Sequence, residues 1–292
     1  MPLTVKKIID IINGFAPFDL AENWDNSGLQ AGNPDGEIQK IMVSLDVSKE
    51  VMEAARDWGA DLVLSHHPLQ MNPVKSIDFS KMPGSAIGLA AREQISIICA
   101  HTNLDKAVDG LNDYFAQIMG VNCDESLCPD SIIPDSIIPD SIISDSNKAA
   151  SHLDESKGQL QGLGRIGHLK SVLSLEGLAL NVKERLGLEH LRVIGDLDLQ
   201  VDRVALCTGS GGSLMDCFLG SSADVYITGD VKYHEARQVE MNHKGLIDVG
   251  HFASEIIVVD LLESLLAQAL ASVGYDIKIQ GFKKEKDPFK TV

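Results

Sequence analysis

The sequence predicts an α/β protein made of two pseudo-duplicated α/β halves that face each other around a shared dinuclear metal site. Three observations point there. Short apolar runs of strand type alternate with segments of helical period. The stretch Ile38–His67 lies on Val201–Asp230 without a gap at a shift of 163 positions, setting Ala60-Asp61-Leu-Val-Leu-Ser65 on Ala223-Asp224-Val-Tyr-Ile-Thr228 and Met52 on Met215. His101 and Asp105 then pair with His251 and Glu255 at a shift of 150, which leaves 13 extra residues in the first half, placed around Met71–Ser85.

Strands are expected at 40–45, 61–65, 95–100, 191–195, 202–208, 224–228, 245–249 and 276–280. Helices are expected near 4–13, 48–58, 84–92, 106–119, 174–187, 212–220, 231–242 and 253–273. Thr4 is a candidate N-cap, and Gly14 and Gly187 fall where C-cap glycines belong. The middle breaks the rhythm. Asp130-Ser-Ile-Ile-Pro134, Asp135-Ser-Ile-Ile-Pro139 and Asp140-Ser-Ile-Ile-Ser144 are three copies of one pentapeptide, with a polar stretch to Gln159 behind them. Proline at that period forbids a continuous helix and disrupts strand pairing, so this is read as a surface loop or linker. The expected division is a first half 1–125, a linker 126–160 and a second half 161–292.

A 292-residue chain that is 44% hydrophobic can bury a sizeable core. Its formal net charge of -17 opposes general nucleic-acid binding and anionic membrane surfaces, since both need clustered Lys and Arg. The acidity suits a soluble surface that resists self-association. Five cysteines, Cys99, Cys123, Cys128, Cys207 and Cys217, show no C-x-x-C spacing, and Cys99 and Cys207 sit in apolar runs. That usage suits a reducing cytoplasm. Asp10 interrupts the first apolar run too early for a signal peptide, and no stretch is long enough to span a membrane.

Three buried-strand candidates end in chemistry. Asp61-Leu-Val-Leu-Ser65 stops at His66-His67-Pro68; Ile95-Ser-Ile-Ile-Cys-Ala100 at His101 and Asp105; Gly245-Leu-Ile-Asp-Val-Gly250 at His251 and Glu255. Imidazole with carboxylate is the usual ligand mix for Zn, Mn or Fe(II). Adjacent side chains on an extended segment point opposite ways, so His66 and His67 are expected to serve two neighbouring ions. Six candidates exceed the needs of one tetrahedral centre, which favours two ions. Gly209-Ser210-Gly211-Gly212, between a strand and a helix, is either an anion-binding turn or a tight connection needing positive φ. Trp24-Asp25-Asn26 belongs to a polar loop whose indole is a packing plug or a pocket wall. Asp230 and His234 are candidates for orienting the ligands or relaying protons. His152, His168, His190 and His243 lack such context and read as surface or structural residues.

Taken together, Trp24-Asp-Asn-Ser-Gly-Leu-Gln30, Ser65-His-His-Pro68, His101-Thr-Asn-Leu-Asp105, Gly209-Ser-Gly-Gly212, Thr228-Gly-Asp230 with Tyr233-His234, and Gly250-His-Phe-Ala-Ser-Glu255 occur in the order of a known family. The chain resembles the Nif-three-like family, whose bacterial members are labelled GTP cyclohydrolase 1 type 2 homologues. The resemblance implies a dinuclear centre held by His66, His67, Asp105, His251 and Glu255, with Glu255 bridging and His101 a weaker or outer partner. It implies a ring-shaped homohexamer and, from the label, opening of the guanine imidazole ring with release of formate. The expected activity is hydrolysis by metal-bound hydroxide, with two divalent ions (Zn, Mn, Fe or Ni) per chain and a nucleotide or phosphorylated small molecule as ligand. A phosphoester or nucleotide hydrolase is the nearer rival. A non-catalytic metal-binding scaffold or regulator is the rival of another class.

Overall fold

The structure, a computed structural model, describes residues 2–129 and 160–290. The pentapeptide repeat and the polar stretch behind it lie outside the described residues. Contacts group the chain into two compact units, Met1–Tyr114 with Phe252–Val292, and Phe115–His251. Residues 252–292, which the sequence places with the second half, therefore belong with the first.

The first unit is a three-layer sandwich. Its sheet runs β1 (Gly28–Ala31), β4 (Ser96–Cys99), β3 (Leu62–Ser65), β2 (Lys40–Ser44), β11 (Lys278–Gly281). All neighbours are parallel except the edge pair β1–β4. The run Leu-Val-Leu of β3 is apolar without alternation because both faces are covered. Leu62 and Leu64 face a core with Ile8 and Ile12 of α1 (Val5–Phe15) and Leu262 and Leu266 of α10 (Val258–Ser272). Val63 faces the opposite core, with Met52 and Ala55 of α2 (Lys49–Trp58) and Ala90 of α3 (Gly84–Glu93). At the start of β3, Asp61 Oδ2 accepts the backbone N–H groups of Gln39 (2.8 Å) and Lys40 (2.9 Å).

The second unit carries a six-stranded sheet: β5 (Val121–Pro129), β6 (Gly162–Ser174), β8 (Gln200–Ser210), β9 (Val225–Gly229), β10 (Gly245–Asp248), β7 (Arg192–Ile194). Strands β8, β9 and β10 are parallel and the rest antiparallel. One face packs on Phe218 of α7 (Met215–Gly220) and Val239 of α8 (Tyr233–Met241). α6 (Leu175–Arg185) packs on β6 and β8. At the start of β9, Asp224 Oδ2 accepts the N–H groups of Asp202 (2.9 Å) and Arg203 (2.8 Å).

Several local expectations need correction. Gly14 lies inside α1, which stops at Phe15 because Pro17 disfavours helical backbone at Ala16. Thr4 caps α1 as expected, accepting the N–H of Lys7, and Gly187 has φ +64 just past α6. The helix expected at 106–119 is two helices, α4 (Thr102–Lys106) and α5 (Leu111–Met119). They are separated by Asp109 at φ +60 and by Gly110, where a Cβ would stand 2.1 Å from the Leu104 carbonyl oxygen. The 253–273 helix is likewise α9 (His251–Glu255) and then α10. Strands β1, β5 and β6 have no counterpart in the sequence reading. β1 is a short edge strand, and β6 carries Gly162, Gly164 and Gly167 where a β-branched run would have marked a strand.

Candidate metal centre

In the first unit the parallel strands β3 and β4 end side by side, and each delivers histidine just past its last paired residue. The chain leaves β3 at Ser65 and bends, with the N–H groups of His66 and His67 held by the carbonyls of Ser44 (3.1 Å) and Leu45 (2.8 Å). This bend overturns the expectation that the two side chains diverge. Their ring centroids are 5.2 Å apart, and the His101 ring lies 5.2 Å from His66 and 5.7 Å from His67. Strand alternation applies only while the backbone remains extended, and here it has already ended. Ligand-capable nitrogens of His66, His67 and His101 all lie within 4.8 Å of one another. Asp105, at the end of α4, and Glu255, at the end of α9, are buried beside them.

Each imidazole is held from behind. His66 Nδ1–H donates to the Ala100 carbonyl (2.9 Å), His67 Nδ1–H to Asp46 (2.9 Å) and His101 Nδ1–H to Asp25 (2.8 Å). A carbonyl can only accept, so the proton on His66 sits at Nδ1 and its Nε2 is the donor atom when the ring is neutral. His67 Nε2 meets Glu255 Oε2 at 2.8 Å. His66 Nε2 stands 3.7 Å from Asp105 Oδ1 and 3.8 Å from Glu255 Oε1. His66 Nε2 and Asp105 Oδ1 are both buried with no hydrogen-bond partner. Such orphans are rare and call for an explanation. A cation between them supplies one: two atoms each about 2.1 Å from one tetrahedral ion stand about 3.4 Å apart. The N and O donors present fit a transition divalent ion better than Mg or Ca.

The charges agree. Burial pushes the His66 ring toward neutrality, but the charges of Asp105 and Glu255 outweigh it and raise its pKa. Burial opposes charge on His67 too, yet its hydrogen bonds to Asp46 and Glu255 raise its pKa to about 10. Burial raises Asp105 against the pull of His66. Asp25 is pushed up by burial, but hydrogen bonds from His101 and Thr102 hold it well below the usual carboxylate range. Buried carboxylates thus face two imidazoles, His66 and His67, whose hold on a proton is strengthened, and a divalent cation can take the place of such protons.

The Trp24-Asp25-Asn26 loop, a candidate ligand-binding segment in the sequence, divides its residues between two roles. Asp25, its side chain fully buried, accepts from His101, from Ser27 Oγ (2.8 Å) and from both the N–H (3.1 Å) and hydroxyl (2.5 Å) of Thr102. It braces α4. Asn26 Nδ2 donates to the Gln70 carbonyl (2.8 Å). Only Trp24 is presented outward, 57% exposed, with its ring edge-on to His101. Asp46 and Glu285, which stand behind His67, escape the sequence reading. Asp46 follows strand β2 as the other site residues follow theirs, so a signal existed. Glu285 sits in a charged tail with none.

In the second unit, His251 Nδ1–H donates to Asp230 (2.8 Å), which has φ +57 at the end of β9. His234 is exposed on α8, edge-on to Tyr233. Gly211 is buried, and a Cβ there would stand 2.1 Å from Thr228 Oγ1 and 2.2 Å from Tyr226 Oη. At Gly212 it would stand 2.8 Å from Glu235 Oε1. Gly209 has φ +64. The Gly209-Ser210-Gly211-Gly212 turn therefore needs glycine for close packing and positive φ. His168 joins Asp202 and Arg203 in a surface network, and His190 and His243 are exposed. His152 lies outside the described residues.

The fold and this cluster define an α/β protein with two sheets and His/Glu groups able to hold a metal ion. The chain belongs to the Duf34/NIF3 (NGG1p interacting factor 3) family, whose profile matches residues 3–288. It is 32% identical over 280 residues to a GTP cyclohydrolase 1 type 2 homolog of Lactococcus lactis, covering 94% of each chain. A protein of the same description from Clostridium acetobutylicum is 30% identical, with 99% of each covered. The crystal structure of a hypothetical protein of Staphylococcus aureus superposes with a TM-score of 0.86 at 25% identity over the whole of both chains.

Proposed function

We propose that this protein is a dinuclear, divalent-metal-dependent hydrolase, with His66, His67, Asp105, His251 and Glu255 as ligands and His101 beside them. The observation that carries the reading is the orientation of the imidazoles. Each Nδ1–H of the four is tied back to a carbonyl or carboxylate, which leaves metal ligation to Nε2, the atom that on His67 already meets Glu255, and outer partners of this kind are the signature of metal-ligating histidine. When bound, a pair of divalent ions supplies Lewis acidity and lowers the pKa of water. The protein's own part is to hold that charge: Asp105 and Glu255 neutralise it, and Asp25, Asp46 and Asp230 fix the rings. Trp24 offers an apolar face next to His101 for a planar part of a small ligand. The relatives' description makes GTP the first substrate to test, and a nucleotide phosphoester the second. The five free thiols fit a cytoplasmic setting, and assembly as a homohexamer is expected from the resemblance.

The test is elemental analysis of protein purified without chelating resin or added metal, run beside a GTP turnover assay on the same sample. About two ions per chain with metal-dependent turnover supports the reading. Two ions without turnover of GTP or other nucleotides favours the non-catalytic scaffold. No uptake, even after reconstitution, overturns the site.

We further propose that both units derive from one duplicated module. What supports this is the repetition of topology and of one hydrogen-bond device. Strands β2, β3 and β4 are parallel with β1 antiparallel at the edge, and β8, β9 and β10 are parallel with β7 antiparallel at the edge. Asp61 with Gln39 and Lys40, and Asp224 with Asp202 and Arg203, are related by the same shift of 163 found in the sequence.

A further inference from the structure

The carboxyl-terminal segment passes the end of β2 directly behind the metal-site histidines. Phe282 N–H donates to the Val43 carbonyl (2.8 Å), extending the pairing of β11 with β2. Three residues on, both oxygens of Glu285 are used: Oε2 accepts the N–H of Leu45 (2.9 Å) and Oε1 that of Asp46 (2.8 Å). These are consecutive backbone donors in the turn after β2. Ser44 Oγ donates to the Asp46 carbonyl (2.8 Å), so the backbone of Asp46 is held at its N–H and its C=O. The side chain of Asp46 is half exposed. It is aimed at His67 Nδ1, whose Nε2 meets Glu255. A chain of direct contacts therefore runs from Glu285 through the Asp46 backbone and carboxylate to the His67 ring.

We propose that Glu285 is a positioning residue for the metal centre, fixing the turn that aims Asp46 at His67. This rests on the metal reading given above. A carboxylate accepting two adjacent N–H groups locks the φ/ψ of the turn more firmly than a single bond, because both donors must move together. Removing it leaves two backbone donors without their partner and frees Asp46 to leave His67. The effect on the ligand is then that of weakening an outer partner, and the loss in affinity falls at the lower end of the tenfold to hundredfold typical for such partners.

The experiment measures Zn2+ affinity by competition with a chromophoric chelator, with amide hydrogen exchange on the same metal-free samples. Glu285→Ala is expected to weaken Zn2+ binding about tenfold and to remove exchange protection at Leu45 and Asp46. Glu285→Gln keeps one side-chain oxygen and falls between. Phe282→Ala, which removes packing from the same segment, lowers thermal stability without changing affinity. In the Asp46→Ala background, Glu285→Ala has no further effect, since the link it acts through is gone. Wild-type affinity in both Glu285 variants despite the lost protection overturns the proposal, as does an effect that persists undiminished with Asp46→Ala. Should Glu285→Ala fail to fold, Glu285→Gln carries the same comparison. A wild-type chain that takes up no Zn2+ overturns the metal reading and this inference with it; uptake with unchanged variant affinity overturns the inference alone.

Discussion

Metal uptake by this protein should depend steeply on pH, because His67 holds a proton where the proposed ions would bind. His67 lies between Asp46 and Glu255 with its pKa raised to about 10, against 6.5 for the free side chain. Binding a cation at Nε2 requires that proton to leave. At pH 7 the ring lies about three units below its pKa, and at about 1.4 kcal/mol per unit the displacement opposes binding by about 4 kcal/mol. Apparent affinity should then rise about tenfold per pH unit through His67 alone, or about a hundredfold between pH 6 and 8. His66 is shifted the same way by Asp105 and Glu255 and adds to the slope wherever it is charged. The assay is Zn2+ competition against a chelator corrected for its own protonation. Calorimetry in two buffers of different ionisation enthalpy counts the protons released. An affinity change of less than about tenfold over that range, with less than about half a proton released per chain, would refute the argument.

Metal-free protein should show the converse in stability. With its pKa raised, His67 contributes fully below pH 6.5, and that contribution disappears as pH rises toward 10; thermal melts of chelator-treated protein across that window should fall. Asp25→Ala should destabilise by about 3 kcal/mol, since it strands buried donors on His101, Thr102 and Ser27, and urea unfolding measures this. Gly211→Ala should lower stability by about 2 kcal/mol or more through overlap with Thr228 and Tyr226. Gly220→Ala, with open space around its Cβ, should be within about 1 kcal/mol of the parent, and similar melts for the two would contradict the packing account. His66→Ala combined with Glu255→Ala should abolish most bound metal while leaving the circular dichroism spectrum intact; full occupancy would sink the ligand assignment.

What the sequence determined by itself is local. Runs such as Leu62-Val-Leu must be buried strands because nothing in them tolerates water, and the residues after them must sit at strand ends. That alone places His66, His67, His101 and His251 at the carboxyl ends of parallel strands, where α/β folds put their sites. The repetition at a shift of 163 was also legible, because the apolar positions of the two stretches keep phase along it. The tertiary structure decided everything that depends on where chains meet. It brought residues 252–292 back to the first sheet, since β11 needed a partner edge and α10 a core to cover. It turned the His66 and His67 side chains to the same place, because the backbone bends there rather than continuing the pleat. It also set Asp25, Asp46 and Glu285 behind the imidazoles from 21 to 218 residues away in sequence. Spacing along a chain carries no record of such contacts, because only the packing of layers brings those segments within hydrogen-bond reach.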